Sequence, residues 1–260
     1  MELGLRGRKA LVTGASKGIG RACAEALAEE GCDVVLVSRT EADLAKARGE
    51  IAAKHNVAVR HYALDLSDSK NVDKLVAECP EIDILVNNAG AIPGGNIAQI
   101  DEARWREAWD LKVFGYINMT RRFYALMAQK KSGVIINILG AAGENPDFDY
   151  VAGSSGNASL MAFTRAMGGT APRDNLRVLG INPGPVMTER LITLMRTRAE
   201  SNFGDPERWT ELMKPLAFGR AAKPEEIGWM AAFLASDLSA YTTGTIITID
   251  GGGTSRRSAL

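Results

Sequence analysis

Cysteine is scarce in this sequence, and charge of either sign is in no excess. Three cysteines, Cys23, Cys32 and Cys79, occur in 260 residues, and no two of them form a CxxC pair. Neither a disulfide framework nor a zinc knuckle is therefore expected, and we expect the thiols to be reduced and mostly buried. The 31 basic and 31 acidic side chains give a formal net charge of zero. This balance leaves no positive field to attract nucleic acid.

Long hydrophobic runs and histidines are equally scarce. No run reaches the roughly 18 apolar residues that a membrane helix requires, and the first residues include no apolar stretch of signal-peptide length. We therefore expect a cytoplasmic protein without a membrane partner. The two histidines, His55 and His61, are interpreted as surface or packing residues. Without a histidine pair nearby, the acidic loop residues Glu144, Asp147 and Asp149 indicate no metal site.

Short runs rich in Val, Ile and Leu alternate with longer amphipathic stretches along the chain. Seven strands are predicted, at residues 10–13, 34–38, 57–63, 84–87, 134–138, 178–182 and 245–249. Helices are predicted at residues 18–30, 41–54, 69–78, 101–130, 154–171 and 224–234. Strand runs that are apolar throughout indicate a parallel sheet with helices on both faces. The pattern predicts a single α/β domain over residues 1–260, doubly wound around a seven-stranded parallel sheet.

One segment interrupts this alternation. Residues 185–223 combine a short amphipathic run at 189–198 with polar and aromatic residues, before the last helix and strand. An insertion at this place is predicted to form a lid over a substrate site. Its apolar residues lead us to expect an apolar pocket: Met187, Leu191, Leu194, Met195, Phe203 and Trp209.

The 27 glycines are clustered, and one cluster joins the first predicted strand to the first helix. Residues 13–20 read TGASKGIG. Glycines permit a tight turn and a close approach of the backbone, and the free N–H groups at a helix start attract pyrophosphate. A dinucleotide site is predicted, with contacts from Gly14, Ser16, Lys17, Gly18, Ile19 and Gly20. By itself the pattern is also compatible with glycines that only terminate a strand.

Two cations lie where the adenosine ribose of a dinucleotide is expected. Arg39 follows Ser38 at the end of the second predicted strand, and Lys17 lies within the glycine turn. Arginine binds phosphate bidentately, whereas an acidic residue at this place would select the unphosphorylated ribose. NADP(H) is therefore predicted in preference to NAD(H), with Ser38 and Arg39 at the ribose. The alternative is that Arg39 is solvated at the start of the next helix.

Further motifs follow the glycine turn in a fixed order. They are Asp65-Leu66, the sequence NNAG at residues 87–90, the sequence NPGPVMT at 182–188, and residues 236–253 with their glycine tail. In this order and spacing the chain resembles the short-chain dehydrogenase/reductase family over residues 8–254. The resemblance implies a Rossmann fold. It also implies cofactor contacts at Asp65, Leu66, Asn88, Ala89, Gly90, Pro183, Gly184, Val186 and Thr188.

The same resemblance implies reversible hydride transfer between an alcohol and a ketone. In the family the nicotinamide carries the redox chemistry, and a tetrad of Asn, Ser, Tyr and Lys handles the proton. Matching the family's motifs puts Lys112, Gly140, Gly153 and Asn157 at these four positions. Because none of the four is the family's residue, the ordinary mechanism is not expected. The two glycines predict extra space beside the nicotinamide, for a bulkier substrate or for the lid.

Two nearby residues carry the missing residue types. Lys112 brings an amine and Tyr150 a phenol, and our hypothesis is that together they rebuild an acid and its electrostatic helper. The alternatives are that Lys112 pairs with Asp110 or Glu107 and that Tyr150 packs in its loop. A slipped register that makes Tyr150 the family's tyrosine is disfavoured, because the residue four places on is Ser154 rather than a lysine.

Two classes of function remain open at the level of sequence. One is an oxidoreductase with altered catalytic residues that acts on a small molecule. The other is a pseudoenzyme that binds NADP(H) without turnover, as a sensor or a structural subunit. The resemblance implies pairing through the helices at 101–130 and 154–171, hence a homotetramer or a hetero-assembly with a related subunit. Ser154 and Ser155 are expected to cap the second of these helices.

Overall fold

The computed structural model describes residues 2–255, and its centre is one seven-stranded sheet. The strands are β1 (Lys9–Thr13), β2 (Asp33–Ser38), β3 (Val59–Ala63), β4 (Ile84–Asn87), β5 (Gly133–Ile138), β6 (Leu176–Pro183) and β7 (Ile246–Ile249). They pair in the order β3-β2-β1-β4-β5-β6-β7, and every pairing is parallel. The predicted single-domain, doubly wound fold is confirmed. Residues 1 and 256–260 of the predicted domain lie outside the described residues.

Eight α-helices accompany the sheet within residues 2–255. They are α1 (Gly18–Glu29), α2 (Glu41–Lys54), α3 (Ser69–Glu78), α4 (Glu102–Trp109), α5 (Gly115–Lys130), α6 (Val151–Thr170), α7 (Glu189–Phe203) and α8 (Pro224–Ala235). The helix predicted at 101–130 is interrupted between α4 and α5, and α7 extends past the amphipathic run predicted at 189–198. The third strand begins two residues later than predicted, at Val59.

Apolar side chains cover both faces of the sheet. Val12 and Leu36 belong to the cluster packed against α1, α2 and α8. Their chain neighbours Leu11 and Val35 belong to the cluster packed against α3 and α5 on the opposite face. Side chains alternate between the faces of a strand, so a strand covered on both faces has apolar residues at consecutive positions. This double burial is the reason for the unbroken apolar runs in the sequence.

The break between α4 and α5 is a π-helical turn, Asp110–Phe114. A π-turn inserts an extra residue into the helix and is frequent at functional sites. Lys112 lies at the middle of this turn and is only 8% exposed. The local break thus coincides with a buried amine.

Helix α6 begins at Val151, so the prediction that Ser154 and Ser155 cap it is wrong. The Ser154 hydroxyl accepts a hydrogen bond from the N–H of Asp147 at 3.0 Å, and Ser155 donates to the carbonyl of Val151 at 2.7 Å. The preceding loop folds back and supplies the partner of Ser154, whereas the partner of Ser155 is the first residue of the helix itself. The additional turn places Tyr150 directly before the helix.

The cysteines and His61 have the surroundings that the sequence predicts. Cys23, Cys32 and Cys79 are all buried and free, and burial raises the pKa of the Cys23 thiol to about 12. The Nε2 atom of His61 lies 2.7 Å from a carboxylate oxygen of Glu41, which agrees with a packing role. Among residues 2–255, no helix combines the length and the apolar character needed to span a membrane.

Candidate active site and cofactor cleft

The strand order reverses between β1 and β4. From β1 the sheet continues through β2 to β3 on one side, and from β4 it continues through β5 to β7 on the other. Chain segments that leave the carboxyl ends of these two strands therefore diverge and open a cleft, the usual ligand site of such sheets. The glycine turn follows β1, and residues 88–90 follow β4. The topology thus brings two of the predicted cofactor segments to one edge.

The glycine turn has no space for additional side chains at two positions. A Cβ atom at Gly20 would lie 2.3 Å from the carbonyl oxygen of Gly14. A Cβ at Gly14, whose φ is +64°, would lie 2.8 Å from Nδ2 of Asn88. Helix α1 begins at Gly18, and its N-cap residue Lys17 makes no side-chain hydrogen bond to the first N–H groups. These amides and the positive end of the helix dipole suit a phosphate anion.

Asn88 connects the turn to the end of β4. Its Nδ2 donates to the carbonyls of Thr13 at 3.1 Å and Gly14 at 3.3 Å. In return, the Thr13 hydroxyl oxygen accepts from the N–H groups of Asn88 at 2.8 Å and Ala89 at 3.0 Å. The side chain of Asn88 therefore holds the walls of the cleft together.

The ends of β2 and β3 form the outer part of the cleft. The buried hydroxyl oxygen of Ser38 has no hydrogen-bond partner, and the next residue, Arg39, is exposed. Although burial raises it, hydrogen bonds from Ser67 and the charge of Arg39 bring the pKa of Asp65 below its usual value. Lys17 is less available, because its Nζ lies 3.7 Å from carboxylate oxygens of both Asp43 and Glu189.

The segment after β6 closes the other side of the glycine turn. A Cβ at Gly184 would lie 2.8 Å from the Cβ of Asp250, so the backbone passes close to the chain after β7. Thr188 caps α7 by accepting from the N–H of Leu191 at 3.3 Å. Its Cγ2 atom would be 3.2 Å from a Cβ at Gly18. The start of the predicted lid therefore lies against the phosphate-binding turn.

Lys112 lies at the inner end of this cleft. Its Nζ donates to the Tyr116 hydroxyl at 2.9 Å and to the carbonyl of Ile138, at the end of β5, at 2.7 Å. A Cβ at Gly90 would be 2.6 Å from Cδ of Lys112, so the lysine stem passes directly beneath the NNAG segment. Burial, and to a smaller extent the charge of Arg190, lower the pKa of this amine to about 7.

An ion pair was the alternative explanation for Lys112, and it is wrong. Neither Asp110 nor Glu107 pairs with it, and within residues 2–255 no carboxylate lies within ion-pair distance of its Nζ. The π-turn rotates the amine inward, toward the sheet, while Asp110 remains exposed. Lys112 is therefore a buried amine held by neutral oxygen atoms.

Tyr150 fills the space beside Gly153. A Cβ at Gly153 would lie 2.1 Å from Cε1 and from Cζ of the Tyr150 ring. The ring packs with Ile92 and Ala152, as the loop-packing alternative expected. Burial raises the pKa of its phenol, while the charge of Arg190 and a hydrogen bond from it act in the opposite direction.

The space beside Gly140 is filled as well. A Cβ at Gly140 would lie 2.8 Å from Nδ2 of Asn157, whose Oδ1 is buried without a hydrogen-bond partner. The expectation that Gly140 and Gly153 enlarge the cleft is therefore wrong. Side chains from the next helix and from the preceding loop occupy both volumes.

These observations fit a dinucleotide better than a metal ion. The close-packed glycine turn, the uncapped N-terminus of α1 and the unpartnered Ser38 hydroxyl suit phosphate and ribose groups. Within residues 2–255, no three His, Cys, Asp or Glu side chains are grouped as metal ligands. The contacts given above bring six of the predicted residues together: Gly14, Gly18, Gly20, Asn88, Ala89 and Thr188. The other contacts stay predictions: Ser16, Lys17, Ile19, Ser38, Arg39, Asp65, Leu66, Gly90, Pro183, Gly184 and Val186.

Comparison with known proteins gives the same family as the motifs. Residues 14–254 match the sequence family described as enoyl-(acyl carrier protein) reductase. The chain belongs to the short-chain dehydrogenase/reductase family. Members of this family are oxidoreductases that use a nicotinamide cofactor.

Several relatives match over nearly their whole length. Oxidoreductase UcpA of Salmonella typhimurium is 34% identical over 256 residues, covering 96% of this chain and 95% of its own. The 3-oxoacyl-[acyl-carrier-protein] reductase FabG of Aquifex aeolicus is 30% identical, covering 97% and 99%. L-sorbose reductase of Gluconobacter frateurii, solved in complex with NADPH and L-sorbose, superposes with a TM-score of 0.92 at 30% identity, covering 99% and 100%.

The sequence patterns of this short-chain dehydrogenase/reductase did not indicate Arg190 as a site residue. It is the second residue of α7, and its Nη2 donates to the carbonyl of Ile92 at 2.5 Å. Its charge acts on both Lys112 and Tyr150. The available signal was its position, two residues after Thr188 of the PG-x-V-x-T segment.

The apolar residues of the predicted lid mostly pack on one another. Met195 and Met213 are buried in a small cluster of their own, against Met187, Leu191 and Trp209. Leu194 and Phe203 are instead exposed, at 42% and 37%. The segment thus uses several of its apolar side chains to hold itself together, and the apolar pocket stays a prediction.

Proposed function

We propose that this chain is an NADP(H)-dependent oxidoreductase that interconverts a small-molecule ketone and an alcohol, with Lys112 as the proton donor and Tyr150 as its helper. The observation that carries the proposal is the position of Lys112. It is a buried amine without a carboxylate partner, directly beneath the NNAG segment and at the carboxyl end of β5. A buried cation without a counter-charge is costly to maintain, and such groups are concentrated at functional sites.

Lys112 has the properties of an acid that works near neutral pH. A bound nicotinamide supplies the hydride. The Nζ atom holds the proton between the Tyr116 hydroxyl and the carbonyl of Ile138, which fix its orientation. With a pKa near 7, Lys112 holds a proton that it can give up near neutral pH. Tyr150, whose pKa is raised by burial, stays protonated and can donate a hydrogen bond.

The preference for NADP(H) is supported by the end of β2. Arg39 is exposed there beside the unpartnered Ser38 hydroxyl, and its charge acts on Asp65 without forming an ion pair with it. The relative L-sorbose reductase was solved with NADPH. A 2′-phosphate would provide the partner that both Ser38 and Arg39 lack.

The function is tested by binding and turnover in sequence. NADPH and NADH are titrated against the protein by fluorescence, and ketones, quinones and imines are then added while the nicotinamide absorbance is followed. Lys112→Met is expected to reduce turnover by a factor of about 10² to 10⁴ without weakening the binding of NADPH. Lys46→Met, at an exposed lysine of α2, is the matched control. Unchanged turnover in both Lys112→Met and Tyr150→Phe would overturn the catalytic assignment.

One observation favours the second candidate, a cofactor-binding pseudoenzyme. The volumes beside Gly140 and Gly153 are already filled by Asn157 and Tyr150, and neither glycine offers a hydroxyl to a substrate. Tight NADPH binding with no turnover across the panel would support this candidate. Absence of binding would contradict both.

We further propose a cytoplasmic homotetramer, with a hetero-assembly containing a related subunit as the alternative. The exposed Phe114 and Ile97, beside Trp105 and Trp109, form an apolar groove on the helix predicted to pair. Such a surface is typical of a subunit contact. Sedimentation of the purified chain as a monomer would contradict the homotetramer.

A further inference from the structure

An exposed guanidinium and a buried amine, Arg190 and Lys112, are close enough for the charge of one to act on the other. Burial and the charge of Arg190 both act on Lys112, and no acidic group contributes to its titration. Within the described residues, Arg190 forms no ion pair, and its polar contacts are the Ile92 carbonyl and the Tyr150 hydroxyl. Arg190 and the protonated form of Lys112 therefore have no counter-charge paired with them among the described residues.

Several other cations around the cleft and in the lid have acidic partners. Lys17 lies near Asp43 and Glu189. Three further arginines of the lid pair with glutamates: Arg196 with Glu207, Arg208 with Glu211, and Arg220 with Glu226. Arg190 differs from these three arginines in its orientation, because it is directed at the loop after β4 rather than at another lid residue.

The geometry leaves donors available for a ligand. A guanidinium carries five N–H groups in a planar fork, and Arg190 uses them on the Ile92 carbonyl and on Tyr150 only. Arg190 is otherwise exposed, so the remaining groups are accessible from the mouth of the cleft. Lys112 uses two of the three N–H groups of its charged form, on Tyr116 and Ile138. A carboxylate accepts from both kinds of donor.

Part of the lid's apolar surface is used within the lid itself. Met195, Met213 and Trp209 pack within the lid's own cluster. A neutral, purely apolar substrate would leave the Arg190 guanidinium and the protonated form of Lys112 without a counter-charge.

We propose that the substrate is a small oxo acid, or the hydroxy acid formed from it, whose carboxylate binds between Arg190 and Lys112 beside the reacting carbonyl. This rests on the proposed function and names its substrate class. The carboxylate separates the two like charges, and its own charge favours the protonated form of Lys112. Binding of the correct substrate thereby loads the acid that the reduction requires.

The test measures binding without turnover. The protein is saturated with NADP⁺, which cannot reduce a ketone, and is titrated in a calorimeter with 2-oxobutanoate, acetoacetate and levulinate. Each acid is compared with its neutral primary amide. At least one acid is expected to bind tenfold or more tightly than its amide. Arg190→Met is expected to weaken the binding of that acid by about tenfold to a hundredfold and to leave the binding of the amide and of NADP⁺ unchanged.

Arg196→Met is the matched control, because it removes a lid arginine that already pairs with Glu207. Proton uptake gives a second readout. At pH 7 the acid should bind with uptake of up to about half a proton, since Lys112 titrates near this pH, and Lys112→Met should abolish the uptake.

Three results would overturn the proposal. The first is that no acid binds more tightly than its amide. The second is that Arg190→Met weakens the binding of acid and amide equally. The third is that Arg190→Met weakens the binding of NADP⁺ and not of the acid, which would assign Arg190 to the cofactor. Acid binding without turnover by NADPH would retain this inference and contradict the proposed function. Reduction of neutral ketones but not of oxo acids would contradict this inference and retain the proposed function.

Discussion

The ring of Tyr150 occupies the volume that a side chain at Gly153 would need: an added Cβ would lie 2.1 Å from Cε1 and Cζ of the ring. The two residues are therefore mutually dependent, because the ring position requires the absence of a side chain three residues later. An added Cβ would force the ring to rotate out of this position, and the ring would then lose its packing against Ile92 and Ala152.

Gly153→Ala should therefore destabilise the fold, by about 1–3 kcal/mol, the usual cost of overpacking. Gly169→Ala, in the same helix α6 with no atom within 4 Å of its added Cβ, should be neutral or stabilising. Urea unfolding measures both. In the double variant Tyr150→Ala/Gly153→Ala, the loss should be smaller than the sum of the single losses. Additive losses would contradict the steric relationship.

The glycine turn provides a second steric prediction. Gly20→Ala should abolish NADPH binding and destabilise the protein, because its Cβ would lie 2.3 Å from the carbonyl oxygen of Gly14. Gly49→Ala, on the open face of α2, is the control and should bind NADPH normally. Fluorescence titration and thermal unfolding together distinguish loss of the site from loss of the fold. Normal binding by Gly20→Ala would show that the turn is not the phosphate site.

The buried amine predicts how stability varies with pH. The pKa of Lys112 is lowered on folding, from the ordinary 10.5 to about 7. Between these values the unfolded chain binds more protons, so this residue adds stability as the pH rises and loses it as the pH falls toward 7. Relative to Lys112→Met, the free energy of unfolding should rise by up to about 1.4 kcal/mol per pH unit from pH 7.5 to 9.5. Parallel curves for the two proteins, measured in urea, would refute the lowered pKa.

The same group predicts the pH dependence of reduction. If Lys112 donates the proton, kcat/KM for ketone reduction should be constant below its pKa of about 7 and fall about tenfold per pH unit above it. In Lys112→Met the residual rate should lose this ionisation. A wild-type profile that is flat from pH 6 to 9 would exclude Lys112 as the acid.

The cofactor preference depends on one exposed residue. Arg39→Asp should reduce the ratio of NADPH to NADH affinity by about tenfold to a hundredfold, because a carboxylate repels the 2′-phosphate and accepts from the ribose hydroxyl. Arg48→Asp makes the same change of charge elsewhere on the exposed surface and serves as the control. An unchanged ratio in Arg39→Asp would remove the basis for the NADP(H) preference.

The amino-acid sequence by itself determined the architecture and the dinucleotide cleft. Apolar runs such as β1 and β4 have their pattern because both faces of a parallel sheet are buried, and TGASKGIG has its glycines because the turn excludes Cβ atoms. These constraints are local, because they involve residues that are close together in the sequence. They are therefore readable without knowledge of the fold.

Only the tertiary structure decided the inner end of the cleft. The contact of Lys112 with Ile138 spans 26 positions in the sequence, and that of Arg190 with Ile92 spans 98. The charge of Lys112 suggested an acidic neighbour, and the glycines at 140 and 153 suggested open space. Instead, the π-turn directs the Lys112 amine toward neutral oxygen atoms, and the additional turn of α6 places Tyr150 in the space beside Gly153. Partners supplied by distant segments depend on packing, which no local pattern encodes.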